Sequence, residues 1–185
     1  TGTDYTTPTM LTDASYRVVA TSGVCPASNS NTMELNVTLP ETTGLASNDY
    51  VWTGAASSEW NGTTSSNWLQ YNGSEFSIPA SVPGSNSNVF IRKEGSCFST
   101  VPNVSLINQA ICNNLTIDND NTLSLSSSGS LTVTGSVTNH GTIDVNGSPN
   151  IYVSKNWYND GVFNPATGRV VFGSGSGGPY TIDPG

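Results

Sequence analysis

Two stretches of the chain, SLTVTGSVTNHGTIDV (residues 130–145) and NIYVSKNWYNDGVFNP (residues 150–165), repeat one pattern at an offset of 20 residues. Apolar positions match at this offset, and the matching pairs are Leu131 and Ile151, Val133 and Val153, Val137 and Trp157, and Ile143 and Phe163. A fixed repeat of this length, built from short strands, is typical of a solenoid. The strand–turn–strand spacing predicts a parallel β-helix, in which each rung stacks its apolar side chains on those of the next.

A shorter step lies upstream of this repeat. The segments NLTIDNDN, TLSLSSSG and SLTVTGSV advance by eight residues and place Leu115, Leu123 and Leu131 in step. Asn and Gly recur at one corner, since Asn139 and Gly141 are followed 20 residues later by Asn159 and Gly161. Both residue types tolerate a positive φ, so we expect that corner to need one.

The composition agrees with an all-β fold. Of the 185 residues, 71 are Ser, Thr or Asn, and the chain also holds 4 Trp, 7 Tyr and 5 Phe. Aromatic and β-branched residues favour strands, whereas disordered chains lack them. The net charge of −8, with only 5 basic residues, predicts no nucleic-acid partner. Because no apolar run approaches the roughly 20 residues that span a bilayer, we expect no membrane span.

The first 50 residues have a different character from the rest. SYRVVATS (15–22) and MELNVTLP (33–40) alternate apolar and polar residues, which predicts two half-buried strands that share Val18, Ala20, Leu35 and Val37 on one inner face. Two strands cannot bury a core alone. We interpret residues 1–40 as the last strands of an immunoglobulin-like sandwich, residues 41–50 as a polar linker, and residues 51–185 as the β-solenoid domain. We therefore expect the chain to be cut from a longer protein.

Three tryptophans open the solenoid domain at a spacing of eight residues. Trp52, Trp60 and Trp68 lie in VWTGAASSEWNGTTSSNW, and their indoles allow two interpretations. They could line a glycan-binding surface, because aromatic faces stack on sugars. They could instead form an N-terminal cap, because an open strand edge invites unwanted pairing and large amphipathic rings cover it well. We favour the cap, and we expect Trp157, which takes the place of Val137 in the repeat, to pack in the core.

Three cysteines are present, Cys25, Cys97 and Cys112, without a CxxC pair or a histidine cluster. This usage fits an exported protein better than a metal site. The segment between Cys97 and Cys112 is long enough for the chain to return to a neighbouring position. We predict a disulfide there, worth about 3 kcal/mol on the chain-entropy model, with Cys25 unpaired or bonded elsewhere.

Candidate catalytic and metal-binding residues are few. His140 is the only histidine, and its counterpart one repeat later is Asp160. We interpret His140 as an exposed corner residue and expect no enzyme, since neither Asp144 nor Asp160 has a spacing that creates a matched carboxylate pair. Asp118 and Asp120 lie in the run DNDN, whose oxygens would suit calcium, although such turns more often bind their own backbone. No other cofactor is expected.

The motifs together resemble a known group of proteins. YRVVATSGVCPASNSN resembles the end of the immunoglobulin-like repeats in large surface proteins of Bacteroidota. WTGAASSEWNGTTSSNW, then VPGSNSNVFI and ICNNLTIDNDNTLSLSSSGSLTVTGSV, are similar to the β-solenoid segments that follow such repeats. The resemblance implies type IX secretion, an extracellular place at the cell surface, and no catalytic residue.

From the motifs and the resemblance we expect a non-enzymatic structural or adhesive segment of a large adhesin or extracellular filament. The alternative is a carbohydrate-binding module of a secreted polysaccharide hydrolase. The expected partners are neighbouring domains of the same protein or other copies in a filament, and surface polysaccharide is a further candidate.

Overall fold

The computed structural model describes residues 10–22, 25–55, 57–61, 67–92, 103–106, 109–127, 129–173 and 180–185. These residues form strands and turns with almost no helix, so the predicted all-β class is confirmed. The chain divides into two compact units, Thr1–Leu39 and Pro40–Gly185. None of the described segments forms a helix with the length and apolarity that crossing a membrane requires.

The described residues of the first unit form four short strands in two separate pairs. They are β1 (Ala14–Tyr16), β2 (Val19–Ser22), β3 (Cys25–Asn29) and β4 (Met33–Leu35). β1 pairs antiparallel with β4, and β2 pairs antiparallel with β3. The predicted strand 15–22 is thus broken between two sheets.

The inner face predicted for the first unit is wrong, because the halves of strand 15–22 have different partners. Val18, between β1 and β2, is 70% exposed, and Ala20 is also exposed, while Leu35 and Val37 are only half-buried. The immunoglobulin-like assignment of this unit stays a prediction.

The second unit begins with an antiparallel segment. β5 (Asp49–Trp52) pairs with β6 (Trp68–Tyr71), which pairs with β7 (Phe76–Ser77). β5 also pairs in parallel with β8 (Val89–Ile91), which is the first strand of the solenoid. Strand β5 therefore joins this segment to the solenoid, and it begins inside the predicted linker 41–50.

The described residues of the solenoid form three faces: four rungs contribute one strand to each face, and face 1 has a fifth strand. Face 1 contains β8, β11 (Leu115–Ile117), β14 (Val137–Asn139), β17 (Trp157–Asn159) and β20 (Ile182–Asp183). Face 2 contains β9 (Asn103–Leu106), β12 (Thr122–Leu125), β15 (Thr142–Val145) and β18 (Val162–Asn164). Face 3 contains β10 (Gln109–Cys112), β13 (Ser130–Val133), β16 (Asn150–Val153) and β19 (Arg169–Phe172). Neighbouring strands within a face are parallel, which confirms the predicted parallel β-solenoid.

The sequence repeat gives the correct register of the rungs. Leu131 lies opposite Ile151 on face 3, and Ile143 lies opposite Phe163 on face 2. The eight-residue steps from Leu115 to Leu123 and from Leu123 to Leu131 each lead from one face of a rung to the next. This follows because β11, β12 and β13 lie on three different faces. Burial alternates along these strands, so every second side chain enters a continuous apolar core.

The glycine corner differs from the prediction. Neither Gly141 nor Gly161 has a positive φ, so the expected conformational reason is wrong. The reason is space. A Cβ on Gly161 would overlap the carbonyl oxygen of Gly141 and lie 2.7 Å from the carbonyl carbon of His140, both in the rung beneath. Glycine is needed here because backbones of successive rungs approach closely.

A ladder of side chains holds the rungs together just before the strands of face 1. Asn88 Nδ2 donates to Asp49 Oδ1 over 2.9 Å. On the next rung, Asn114 Nδ2 donates to Asn88 Oδ1 over 2.9 Å. Asn114 Oδ1 then accepts from the backbone N–H of Ser136 over 2.8 Å, and Ser136 Oγ accepts from that of Asn156 over 3.2 Å. These polar side chains fix the stacking of face 1.

Candidate functional site

The three spaced tryptophans form one buried cluster. Trp52, Trp60 and Trp68 are each at most 2% exposed. The Trp68 ring packs edge-on against both others, with centroids 4.9 Å apart in each pair, and its Nε1 donates to the Trp60 carbonyl over 3.1 Å. Because the rings are buried, a glycan cannot stack on them in this structure.

The position of the cluster favours the cap interpretation. The three rings belong to the same apolar core as Val89 and Ile91 in the first solenoid strand. Asn61, next to Trp60, donates a side-chain hydrogen bond to the carbonyl of Gln109 in β10. The segment around Trp60 therefore reaches the edge of face 3 as well. Trp157 is buried, as expected, with its ring centroid 5.2 Å from that of Phe163.

The cysteine prediction finds no support. Cys112 is described, and it is a free, fully buried thiol at the end of β10. Burial raises the pKa of this thiol, because an apolar surrounding disfavours the thiolate. Cys97 and the side chain of Cys25 lie outside the described residues.

The two candidate calcium ligands, Asp118 and Asp120, differ in their contacts. Asp118 Oδ2 lies 3.0 Å from Arg92 Nε, so one carboxylate oxygen already has a cationic partner. Asn121 Nδ2 donates to the carbonyls of Asp118 and Asn119, which is the turn bonding expected of such a run. Asp120 is exposed in the turn with a φ of 62°. Among the residues that the structure describes, no three His, Cys, Asp or Glu side chains are grouped to hold a metal ion.

Arg92 also anchors the predicted linker. Its guanidinium carbon lies 4.8 Å from the centre of the Phe90 ring, and Nη1 donates to the carbonyls of Glu41 and Thr43 over 3.3 and 3.0 Å. Residues 41–43 are therefore bonded to the solenoid through this side chain.

The outer surface of face 1 presents polar and aromatic residues in three columns that run across the strands. The first column is the ladder of Asn88, Asn114, Ser136 and Asn156, which lie one residue before their strands. The middle column points outward from the strands and contains Phe90, Thr116, Thr138, Tyr158 and Asp183. The third column lies one residue after the strands and contains Arg92, Asp118, His140 and Asp160. We call this array the face 1 surface.

The middle column contains an exposed aromatic residue, Tyr158, between Thr138 and Asp183. Thr116 and Thr138 are half-exposed, and Tyr158 beside them is 39% exposed. The Tyr158 hydroxyl accepts a hydrogen bond from Asn156 Nδ2 over 3.1 Å. Asn156 belongs to the ladder, so the orientation of the tyrosine ring is coupled to the stacking of the rungs.

The third column pairs two aspartates, one with a guanidinium and one with an imidazole. Arg92 contacts Asp118, and two rungs later His140 Nδ1 lies 2.5 Å from Asp160 Oδ1. Both members of the second pair are exposed, with 42% of the His140 side chain and 70% of the Asp160 side chain accessible. The sequence repeat places His140 beside Asp160, as the offset predicts.

Two asparagines of the repeated corner point inward. Asn139 and Asn159 are buried, and Asn139 Nδ2 donates to Asn159 Oδ1 over 2.6 Å and to the Val162 carbonyl over 3.1 Å. Sequence reasoning treated them only as turn formers. The signal that could have found them is their parity, because Asn139 is two residues after the buried Val137 and so faces the same side of the strand.

A family model described as a domain of unknown function, DUF8693, matches residues 51–168. The chain belongs to the DUF8693 family. The matched stretch of the DUF8693 domain starts within β5 and ends just before β19, so it covers both the tryptophan cluster and most of the solenoid. No curated protein and no solved structure matches the chain.

Proposed function

We propose that this DUF8693 chain is a non-enzymatic structural and adhesive segment of a large secreted protein at the cell surface. The observation that carries the proposal is the face 1 surface. Its hydroxyl, amide and aromatic side chains stand on parallel strands about 4.8 Å apart and are held by a continuous bonded ladder. Such a surface offers many weak contacts at regular spacing, and summed weak contacts give strong attachment.

Two further features support a mechanical role. The buried indoles cover one end of the apolar core, so the edge strands there are protected from unwanted pairing. The surface charge is sparse, and in the third column Asp118 contacts Arg92 and Asp160 contacts His140. Its partners in this proposal are other domains of the same long protein or other copies in a filament, delivered by type IX secretion. The hydrolase-linked module is less favoured, because the indoles that motivated it are buried.

The proposal is tested with protein-coated beads in a flow chamber. Beads coated with the chain should stay attached to a polysaccharide-coated glass surface under shear that removes uncoated beads. Leu131→Asp places a charge in the core and should unfold the chain, so it serves as the matched control coating. Beads coated with this variant should not stay attached. Incubation with the same polysaccharide should release no reducing ends. Equal detachment of native and unfolded coatings, or release of reducing ends, would reject the proposed function.

A further inference from the structure

One part of the face 1 surface combines an exposed aromatic ring with polar groups of fixed geometry. Tyr158 presents its ring in the middle column, in register with Thr138 on one side and Asp183 on the other, and the bond from Asn156 holds its hydroxyl. Asp160 follows two residues later on the same side of the strand. His140 and Thr138 occupy the matching positions one rung below. These four residues, Tyr158, Asp160, His140 and Thr138, are called the Tyr158 platform.

The His140–Asp160 contact leaves polar atoms for a ligand. The contact uses His140 Nδ1 and Asp160 Oδ1, so the other ring nitrogen, Nε2, and the other carboxylate oxygen, Oδ2, are the atoms left to bond a ligand. Both side chains are exposed. Thr138 adds a half-exposed hydroxyl in the column of Tyr158. The platform thus offers an aromatic surface bordered by a hydroxyl, a carboxylate oxygen and an imidazole nitrogen.

This set of groups matches the chemistry of a sugar ring. A pyranose has a face of C–H groups, which packs on an aromatic ring, and an edge of hydroxyls that both donate and accept hydrogen bonds. A carboxylate accepts from such hydroxyls, and imidazole and threonine bond them in either direction.

The charges near the platform select among sugars. Asp160 and Asp183 border the Tyr158 ring and disfavour an anionic chain, and so does the net charge of −8. An uncharged ligand does not meet this penalty.

We propose that the Tyr158 platform binds a residue of an uncharged polysaccharide. The site rests on the proposed adhesive function and names its ligand class. A single platform of this size binds weakly, so attachment through it would come from many copies on a surface or filament.

The chain contains a matched control for the aromatic ring. Tyr152 on face 3 is also 39% exposed, and its hydroxyl accepts from Asn150 Nδ2 over 3.0 Å, as Tyr158 accepts from Asn156. Two residues later, however, the chain has Ser154 where the platform has Asp160. Tyr152→Ser therefore removes an equivalent ring and hydrogen bond without touching the platform.

The test is affinity electrophoresis in native gels that contain dissolved hydroxyethylcellulose, xyloglucan or galactomannan, with polygalacturonate as the charged probe. At least one uncharged polymer should slow the native chain. Tyr158→Ser and Asp160→Ala should each raise the dissociation constant about tenfold, and Tyr152→Ser should leave it within about twofold. Circular dichroism confirms that each variant is folded.

Several results would overturn the proposal: no retardation by any uncharged polymer, stronger retardation by polygalacturonate, or equal losses from Tyr158→Ser and Tyr152→Ser. The bead assay separates this failure from failure of the proposed function. If Tyr158→Ser beads stay attached as well as native beads, the platform is wrong and the adhesive function stands. If the polymer slows the chain but native beads detach and reducing ends appear, the platform stands and the adhesive function is wrong.

Discussion

The tryptophan cluster gives the sharpest test of how this solenoid is closed. Trp68→Phe keeps an aromatic ring between Trp52 and Trp60 but removes the Nε1–H group that the Trp60 carbonyl accepts from. An acceptor left without its donor inside a protein costs about 1 kcal/mol or more. The smaller ring also leaves unfilled volume, which adds about 1 kcal/mol. We expect a loss of about 2 kcal/mol in the free energy of unfolding.

Urea unfolding followed by far-UV circular dichroism measures that loss. Tyr152→Phe is the matched control, because it also removes one polar group from an aromatic ring, but at an exposed site. Its free energy of unfolding should change by less than about 0.5 kcal/mol. Hydrogen exchange adds a local measurement. If the cluster is a cap, exchange in Trp68→Phe should rise more in β8 and β10 than in β14 and β16, because each rung contacts mainly its neighbours.

Two outcomes would refute the cap. A loss below about 0.5 kcal/mol would mean that the buried bond and the packing of Trp68 contribute little to stability. An increase in exchange spread evenly over all rungs would mean that the cluster stabilises the unit as a whole and does not protect one end of it.

Three other predictions concern the interior. Asn139→Leu removes the donor of Asn159 Oδ1 and should lower the free energy of unfolding by about 1–3 kcal/mol in the same urea assay; an unchanged midpoint would show that the buried amide pair is neutral. Gly161→Ala should cost about 3 kcal/mol or more in thermal unfolding, because the added Cβ meets the backbone of Gly141, and a melting temperature within 2 degrees or so of the native chain would contradict that reasoning. Cys112 should resist iodoacetamide in the folded chain at pH 8, because burial raises the pKa of its thiol, and should react in urea without a reductant; peptide mapping that finds it blocked until reduction would restore the disulfide prediction.

The repeat in the sequence was sufficient to predict the class of fold and the register of the later rungs. Leu131, Ile151, Val137 and Trp157 recur at one interval, and a parallel stack is the arrangement that buries them together. The same interval placed His140 beside Asp160. Local patterning carries this information because each rung contacts its neighbours in sequence.

Contacts could not be predicted from the sequence where the number of residues between successive rungs changes. The rung between Val89 and Leu115 is longer than the one between Val137 and Trp157, so no constant offset aligns Arg92 with Asp118. The ion pair between Arg92 and Asp118 could therefore not be predicted from the sequence.

Side-chain direction at the corners was the other unpredicted feature. Asn139 and Asn159 read as ordinary turn residues, yet they face inward and bond each other, while Gly141 is required by the closeness of two backbones. A one-residue change at a corner moves a side chain from the core to the solvent, and residue type alone does not reveal which side it takes. The repeat therefore predicted that the rungs stack, and the folded chain determined which polar groups lie inside the stack and which form its outer surface.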